Sequence, residues 1–211
     1  MPTARGALGV AVVNGLIYAI GGIASWNSSF NVGTSTATVE IYNPSSNSWS
    51  TGVPLPQPLD SFGVAVSNGT IYVIAGESKG NVVNTVYSFN PATSTSWSTM
   101  SNLPLGRQSL GAVANSTGLI FAVGGMYGLA SNPVTTAETD VYNPATNSWS
   151  TLSPMPSPAY GMAVVDVVAG SQEAVQVLDG FNSNNAQTNP VWAFNYSQYS
   201  VPGTFYVFVK D

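Results

Sequence analysis

Two acids stand two residues apart in "AETDVYNP", Glu138 and Asp140. On a strand, residues i and i+2 share a face, so this pair has the spacing to hold a calcium ion or to divide acid and base work. Glu40 occupies the matching place in "TVEIYNP". The plainer expectation is two solvated acids at the start of a strand, and this is the reading adopted here. The rest of the chain removes most other chemistries. It contains no His and no Cys, so it lacks the usual neutral base, the thiolate nucleophile and the donors of a zinc finger. Neither a phosphate loop nor a nucleophile elbow is present. No catalytic residue, metal or cofactor is assigned.

Charge is scarce everywhere. Only 6% of the 211 residues are charged, nine acids against four Lys and Arg, with a net charge of −5. So few cations cannot neutralise a phosphate backbone, which argues against a nucleic-acid partner. Few titrating groups predict a stability that depends weakly on pH. With 44% hydrophobic residues the chain has the material for a core, and its surface must be wetted by hydroxyls and amides. A neutral, cysteine-free surface points to an extracellular or cell-surface location. The uncharged run "ALGVAVVNGLIYAIGGIA" (Ala7–Ala24) imitates a membrane span. However, Asn14-Gly15 interrupts it with a hairpin signal, and "GVAVSNGTIYVIAGE" (Gly63–Glu77) repeats the design deep in the chain. It is read as a buried β-hairpin, with no membrane span in this chain.

That repetition organises the molecule. Gly9, Gly63, Gly111 and Gly161 each open an apolar run. A second run follows and ends in Gly21-Gly22, Ala75-Gly76, Gly124-Gly125 or, more weakly, Asp179-Gly180. After a polar loop, a third run carries Tyr42, Phe89, Tyr142 or Phe194, and in three units Trp49, Trp97 or Trp149 comes next. Short Val-, Ile- and Tyr-rich runs between turn residues read as strands, with no helical period. Four antiparallel strands in a unit of about fifty residues make a propeller blade, which must stack on neighbours to hide its two apolar faces.

Glycine doublet, then Tyr, then Trp is the pattern that resembles the kelch-repeat β-propeller family. The resemblance implies an all-β, kelch-like propeller domain over 1–211, with four four-stranded antiparallel blades at about 5–53, 57–103, 107–154 and 158–211. The ring is closed at four blades, part of a larger one, or completed by another subunit. Unit four departs from the pattern in Asp179 and in lacking a Trp near Val201, which leaves its outer strand open to question. The Tyr and Trp rings are expected to fill the space between sheets; a sugar- or base-stacking row of Trp49, Trp97 and Trp149 is the alternative. Among kelch-like enzymes, galactose oxidase needs His and a modified Cys, which this chain lacks. Sialidase-type propellers need an arginine cluster, and Arg5 and Arg107 alone do not make one.

Long loops at Ile23–Thr38, Glu77–Asn84, Met126–Thr139 and Phe181–Pro190 share one face and form the expected binding surface. Trp26, Phe30, Tyr127 and Phe181 are the ligand-binding candidates, suited to a protein or a glycan. Sequons at Asn27, Asn68, Asn115 and Asn195 permit glycosylation, though random order would yield about as many. Pro2 and Arg5 align with Pro104 and Arg107 in a blade-to-blade linker, which leads us to expect further chain ahead of Met1. "TFYVFVKD" is apolar on both faces, so it is expected to pack under a loop or a neighbouring domain; the alternative makes Phe205, Tyr206, Val207 and Phe208 candidates for strand addition to a partner, giving a homo-oligomer or filament. The reading is a non-catalytic structural or recognition module. Its competitors are a kelch-type enzyme acting on a carbohydrate and an intracellular protein-binding adaptor.

Overall fold

The structure is a computed structural model, and it describes residues 1–27, 32–129, 132–169, 172–187, 191–195 and 208–210. Every regular element among them is a strand. Blade 1 contains β1 (Gly9–Val13), β2 (Leu16–Ile20), β5 (Val39–Asn43) and β6 (Ser48–Thr51) in spatial order. Between β2 and β5 stands a separate ribbon of β3 (Ile23–Asn27) and β4 (Val32–Ser35). Blade 2 repeats this with β7 (Gly63–Ser67), β8 (Thr70–Ile74), β11 (Val86–Phe89) and β12 (Ser98–Met100), and the ribbon β9 (Glu77–Ser78) with β10 (Asn81–Val82). Blade 3 has β13 (Gly111–Ala114), β14 (Ile120–Val123), β17 (Thr139–Asn143) and β18 (Ser148–Thr151), and the ribbon β15 (Met126–Leu129) with β16 (Asn132–Thr135). Blade 4 is β19 (Ala163–Ala169), β20 (Gln172–Leu178), β21 (Val191–Asn195) and β22 (Phe208–Lys210). All pairings within the blades are antiparallel. Three of the expected long loops are therefore hydrogen-bonded ribbons.

Local chemistry sets the turns. Asn14-Gly15 and Asn68-Gly69 close the inner hairpins with positive φ at both residues, the requirement of a type I′ turn. In the repeated Asn-Pro turns, the side chains of Asn43, Asn90 and Asn143 accept the N–H two residues on, from Ser45, Ala92 and Ala145. The doublet is governed by its second member. Gly22, Gly76, Gly125 and Gly180 have φ of 97° to 119°, and a Cβ there would lie 2.6–3.0 Å from a backbone oxygen. The first member sits at φ 56–58°, where Ala75 and Asp179 substitute for glycine. Asp179-Gly180 thus performs the same turn as the others.

The core lies between the blades. One apolar cluster joins blades 1 and 2 around Tyr18, Leu59, Val73 and Tyr87. A second joins blades 2 and 3 around Tyr72, Leu103, Ile120 and Tyr142. A third joins blades 3 and 4 around Phe121, Met155, Val175 and Trp192. Tyr42–Trp49, Phe89–Trp97 and Tyr142–Trp149 are ring pairs with centroids 5.0–5.2 Å apart. The indole N–H groups of Trp97 and Trp149 donate to Val53 O and Ser101 O, in the linkers leaving the preceding blade, at 3.0 and 2.9 Å. These side chains fasten one sheet to the next and do not form a stacking row.

A backbone chain ties the inner ends together. Ser61 N donates to Ala7 O, Ser109 N to Ser61 O, and Gly161 N to Ser109 O, at 2.6–3.0 Å. All four residues have positive φ, from 49° to 64°. Gly161 therefore belongs with Ala7, Ser61 and Ser109, which corrects its alignment with Gly9. The residue that stands with Gly9, Gly63 and Gly111 is Ala163. Gly9 faces Val64 of the next blade, Gly63 faces Ala112, and Gly111 faces Val164. The inner strands pack in sequence, β1 on β7, β7 on β13 and β13 on β19, and no comparable packing returns from β19 to β1. The described residues form an arc of four blades.

Candidate binding face

The three ribbons stand on one face, each rooted by a backbone bridge to the linker that enters its blade: Gly6 with Ile23, Asp60 with Glu77, Gln108 with Met126. In blade 4, Tyr160 and Phe181 make the same bridge. Each bridge ties the base of its ribbon to the blade's entry linker. Between the ribbons of blades 2 and 3 runs a groove of about 500 Å³ lined by Val82, Val83, Asn84, Thr85, Gly106 and Tyr127. Its polar groups are amides, hydroxyls and backbone, without a formal charge. Asn84 donates to Leu103 O at 3.2 Å, and Gln57 donates to Thr85 at 3.2 Å, fixing the floor. A second recess of about 370 Å³ lies beside blade 1, between Ala4–Ala7 and Ile23–Trp26. Trp26 is 56% exposed there.

The candidate residues do not converge on one pocket. Trp26 lines the recess at blade 1 and Tyr127 the groove between blades 2 and 3. Phe181, 42% exposed, packs its ring 5.7 Å from Tyr160 in blade 4. Phe30 lies outside the described residues. Of the sequon asparagines, Asn68 is exposed. Asn115 is buried, and its Oδ1 accepts bonds from Thr117 and Leu119, so a glycan there would have to break the turn. The side chains of Asn27 and Asn195 lie outside the described residues, as do Phe205, Tyr206 and Val207. The backbone of Phe208 pairs with Phe194, which makes this segment the outer, fourth strand of its own blade.

Of the two acids expected to be solvated, Asp140 is buried and Glu138 half-buried, both against Arg107. Asp140 is fully buried and receives Arg107 Nη2 at 2.8 Å, with Glu138 3.5 Å from Nη1. Thr151 donates to the other Asp140 oxygen at 2.8 Å. Burial, and then the Asp140 charge, push the Glu138 carboxyl above its usual range, with Arg107 opposing. In blade 1, Arg5 Nη2 meets Glu40 at 2.8 Å and Nη1 donates to Gly21 O and Thr38 O at 2.7 and 2.8 Å. Burial raises Glu40, but hydrogen bonds from Thr3 and Arg5 and the Arg5 charge outweigh it, leaving the carboxyl below its usual range. These pairs fasten linker to sheet.

A further pair escaped the sequence reading. Asp60 is buried and accepts Ser35 Oγ at 2.6 Å and Ser61 Oγ at 2.9 Å. It bridges through the backbone to Glu77, whose carboxyl is raised by burial and then by Asp60. Seventeen positions separate them along the chain, so only folding unites them. No group of three His, Cys, Asp or Glu residues that could hold a metal ion occurs among the described residues. No helix among them is long and apolar enough to cross a membrane.

With this geometry established, comparison with known proteins is decisive on family. The Kelch motif matches residues 4–56, 58–104 and 109–156, most of the chain. This chain belongs to the kelch-repeat family. Kelch-like protein terF of Aspergillus terreus is 33% identical over 172 residues, covering 78% of this chain and 37% of the relative. Kelch-like protein 35 of Mus musculus is 29% identical over 196 residues, covering 92% of this chain and 29% of the relative. The chain thus spans about a third of the length of these kelch relatives. The solved structure of YjhT superposes with a TM-score of 0.79 over 99% of this chain and 70% of that one. At 12% identity this likeness speaks for the propeller fold alone. The matched Kelch segments end before blade 4, the unit whose inner glycine is replaced by Ala163.

Proposed function

We propose that this kelch propeller is a non-catalytic recognition module that binds a segment of another protein across its ribbon face. The groove between β10 and β15 carries the reading. It is long, neutral and rooted on two blades that share a packed core, with Tyr127 as a rigid amphipathic wall and Asn84 and Thr85 as polar points. Such a surface matches an uncharged peptide segment, because aromatic and amide groups bind without a large desolvation cost. The buried arginines support the non-catalytic part: the carboxylates with chemical spacing are all engaged in fastening the fold.

The charge-poor, cysteine-free composition supports display outside the cell. Protease shaving of intact native cells is expected to release this domain; protection until lysis would overturn the location. For binding, a displayed library of neutral peptides is to be selected on the chain. Tyr127→Ala is expected to weaken the selected peptides about tenfold or more while the melting temperature holds. Peptides indifferent to Tyr127, or binding confined to a glycan array, would overturn the protein-segment reading. Turnover of a carbohydrate substrate would overturn the non-catalytic one.

A further inference from the structure

In all four blades an antiparallel bridge joins the entry linker to the residue just after the doublet. The bridged residues are Gly6 and Ile23 in blade 1, Gln108 and Met126 in blade 3, and Tyr160 and Phe181 in blade 4. Blade 2 alone puts an acid on both sides, Asp60 and Glu77. Asp60 N donates to Glu77 O at 3.0 Å, and Glu77 N donates to Asp60 O at 2.8 Å. Residues that exchange both bonds hold their Cα atoms about 5.5 Å apart, with their side chains on one face of the pairing. Like charges placed directly opposite in this way repel.

The groups packed around this pair are neutral. Asp60 is 4% exposed, and its two oxygens accept Ser35 Oγ from β4 at 2.6 Å and Ser61 Oγ from the linker at 2.9 Å. These hydroxyls fix the carboxyl in place without balancing a charge. Arg5 and Arg107 are committed to Glu40, Glu138 and Asp140. Lys79, in the turn of the same ribbon as Glu77, is exposed, and among the described residues no ion pair includes it or either acid. Glu77 is half-buried, so it is the member of the pair open to protons from solvent. Burial, and then the Asp60 charge, raise its carboxyl above the usual range.

The ribbon carried by this root is the shortest of the three. β9 and β10 share two residue pairs, whereas β3–β4 and β15–β16 share four each. One of the two pairs is Glu77 with Val82, and Val82 lines the groove that faces Tyr127. Just past it, Val83 N donates to Gly76 O at 2.9 Å. With so little pairing of its own, the ribbon takes its position from the root, and weakly paired elements are the ones that open locally. The charge on Glu77 therefore acts one residue pair away from the groove wall.

We infer that Asp60 and Glu77 form a proton-operated catch on the blade 2 ribbon: a neutral Glu77 seats the ribbon and sets the groove, and an ionised Glu77 loosens both. This rests on the groove being the peptide site, and adds that the site grips harder in acid. Because the Glu77 carboxyl is raised, its contribution to seating is complete below the ordinary carboxylate range and is lost as pH rises through its own pKa. An uncharged peptide segment brings no titrating side chain into that window, so the response belongs to the protein. The partner is held in mildly acid surroundings and released toward neutral ones.

Amide hydrogen exchange on the intact chain tests the catch without any peptide. The Glu77 and Val83 amides report the blade 2 ribbon, and the Ile23 and Met126 amides, bonded to Gly6 O and Gln108 O, report the neutral roots. After correction for intrinsic exchange, protection at Glu77 and Val83 relative to Ile23 and Met126 is expected to rise at least about threefold between about pH 7 and about pH 5. Glu77→Gln should hold protection at the acid level throughout, and Asp60→Asn should remove the pH response. Equal changes at all the roots, or a rise that survives Glu77→Gln, overturn the inference. Neutral peptides whose binding depends on Tyr127 should bind at least about threefold tighter at about pH 5, and Glu77→Gln should give that affinity at about pH 7. A ribbon that responds while these peptides do not overturns the control of binding. A ribbon that responds when no Tyr127-dependent peptide exists supports the catch and defeats the groove as the peptide site.

Discussion

Blades 1 and 3 solve one structural position with ions, and blades 2 and 4 solve it without them. The residue entering each blade is Arg5, Leu59, Arg107 or Ala159, and the third-strand residue it meets is Glu40, Tyr87, Asp140 or Trp192. All occupy the same place between linker and sheet. A buried ion pair and an apolar pair of similar volume are therefore interchangeable in this fold, as expected where Coulomb attraction only offsets desolvation. The two ion pairs also differ. Arg5 reaches four backbone carbonyls, those of Thr3, Ala19, Gly21 and Thr38, as well as Glu40, whereas Arg107 leaves Nε and Nη1 without a hydrogen bond.

The largest expected effect comes from splitting a pair. Arg107→Leu should cost about 3–5 kcal/mol, because Asp140 stays buried and uncompensated; urea unfolding measures it. Converting blade 3 fully to the blade 2 solution, Arg107→Leu with Asp140→Tyr, should return most of that loss, to within about 1 kcal/mol of the parent. A double variant no better than the single one would break the comparison. Next in size is Trp149→Phe, which removes the bond to Ser101 and should cost about 1–2 kcal/mol. Trp97→Phe, which removes the equivalent bond to Val53 O, should cost a similar amount; a negligible cost in both would mean that the rings and not the N–H matter.

The smallest effect is in pH. The Glu138 carboxyl is raised, so its favourable contribution is present below the ordinary carboxylate range and lost as pH rises through its own pKa. The Glu40 carboxyl is lowered, so its contribution is present above that range and lost as pH falls through its own pKa. Acidification from neutral should thus stabilise slightly, then destabilise. Glu138→Gln should flatten the first limb and Glu40→Gln the second, read from urea midpoints across pH. At the alkaline end, burial and then Tyr72 push the Tyr142 phenol up to about 12, so stability should fall as pH rises from about 10 toward that value.

Blade number, strand order and inner hairpins were legible in the chain because each is local. Asn-Gly demands a tight turn, Asn-Pro demands another, and alternating apolar residues demand a sheet. Gly161 misled because two kinds of glycine serve each blade, one for positive φ and one for close approach, and identity alone does not separate them. Trp26, Tyr127 and Phe181 lie on the ribbon face as exposed or groove-lining residues, and they occupy three sites and not one.

What the sequence determined by itself was the unit, since a blade is built from contacts within about fifty residues whose turn chemistry is written in place. What only the tertiary structure decided was everything between units. The burial of Asp140 by Arg107, the meeting of Asp60 with Ser35, and the packing of Val64 on Gly9 depend on residues brought together from different runs or blades. Packing across an interface has no period along the chain, so such partners become visible only when the sheets are laid against one another.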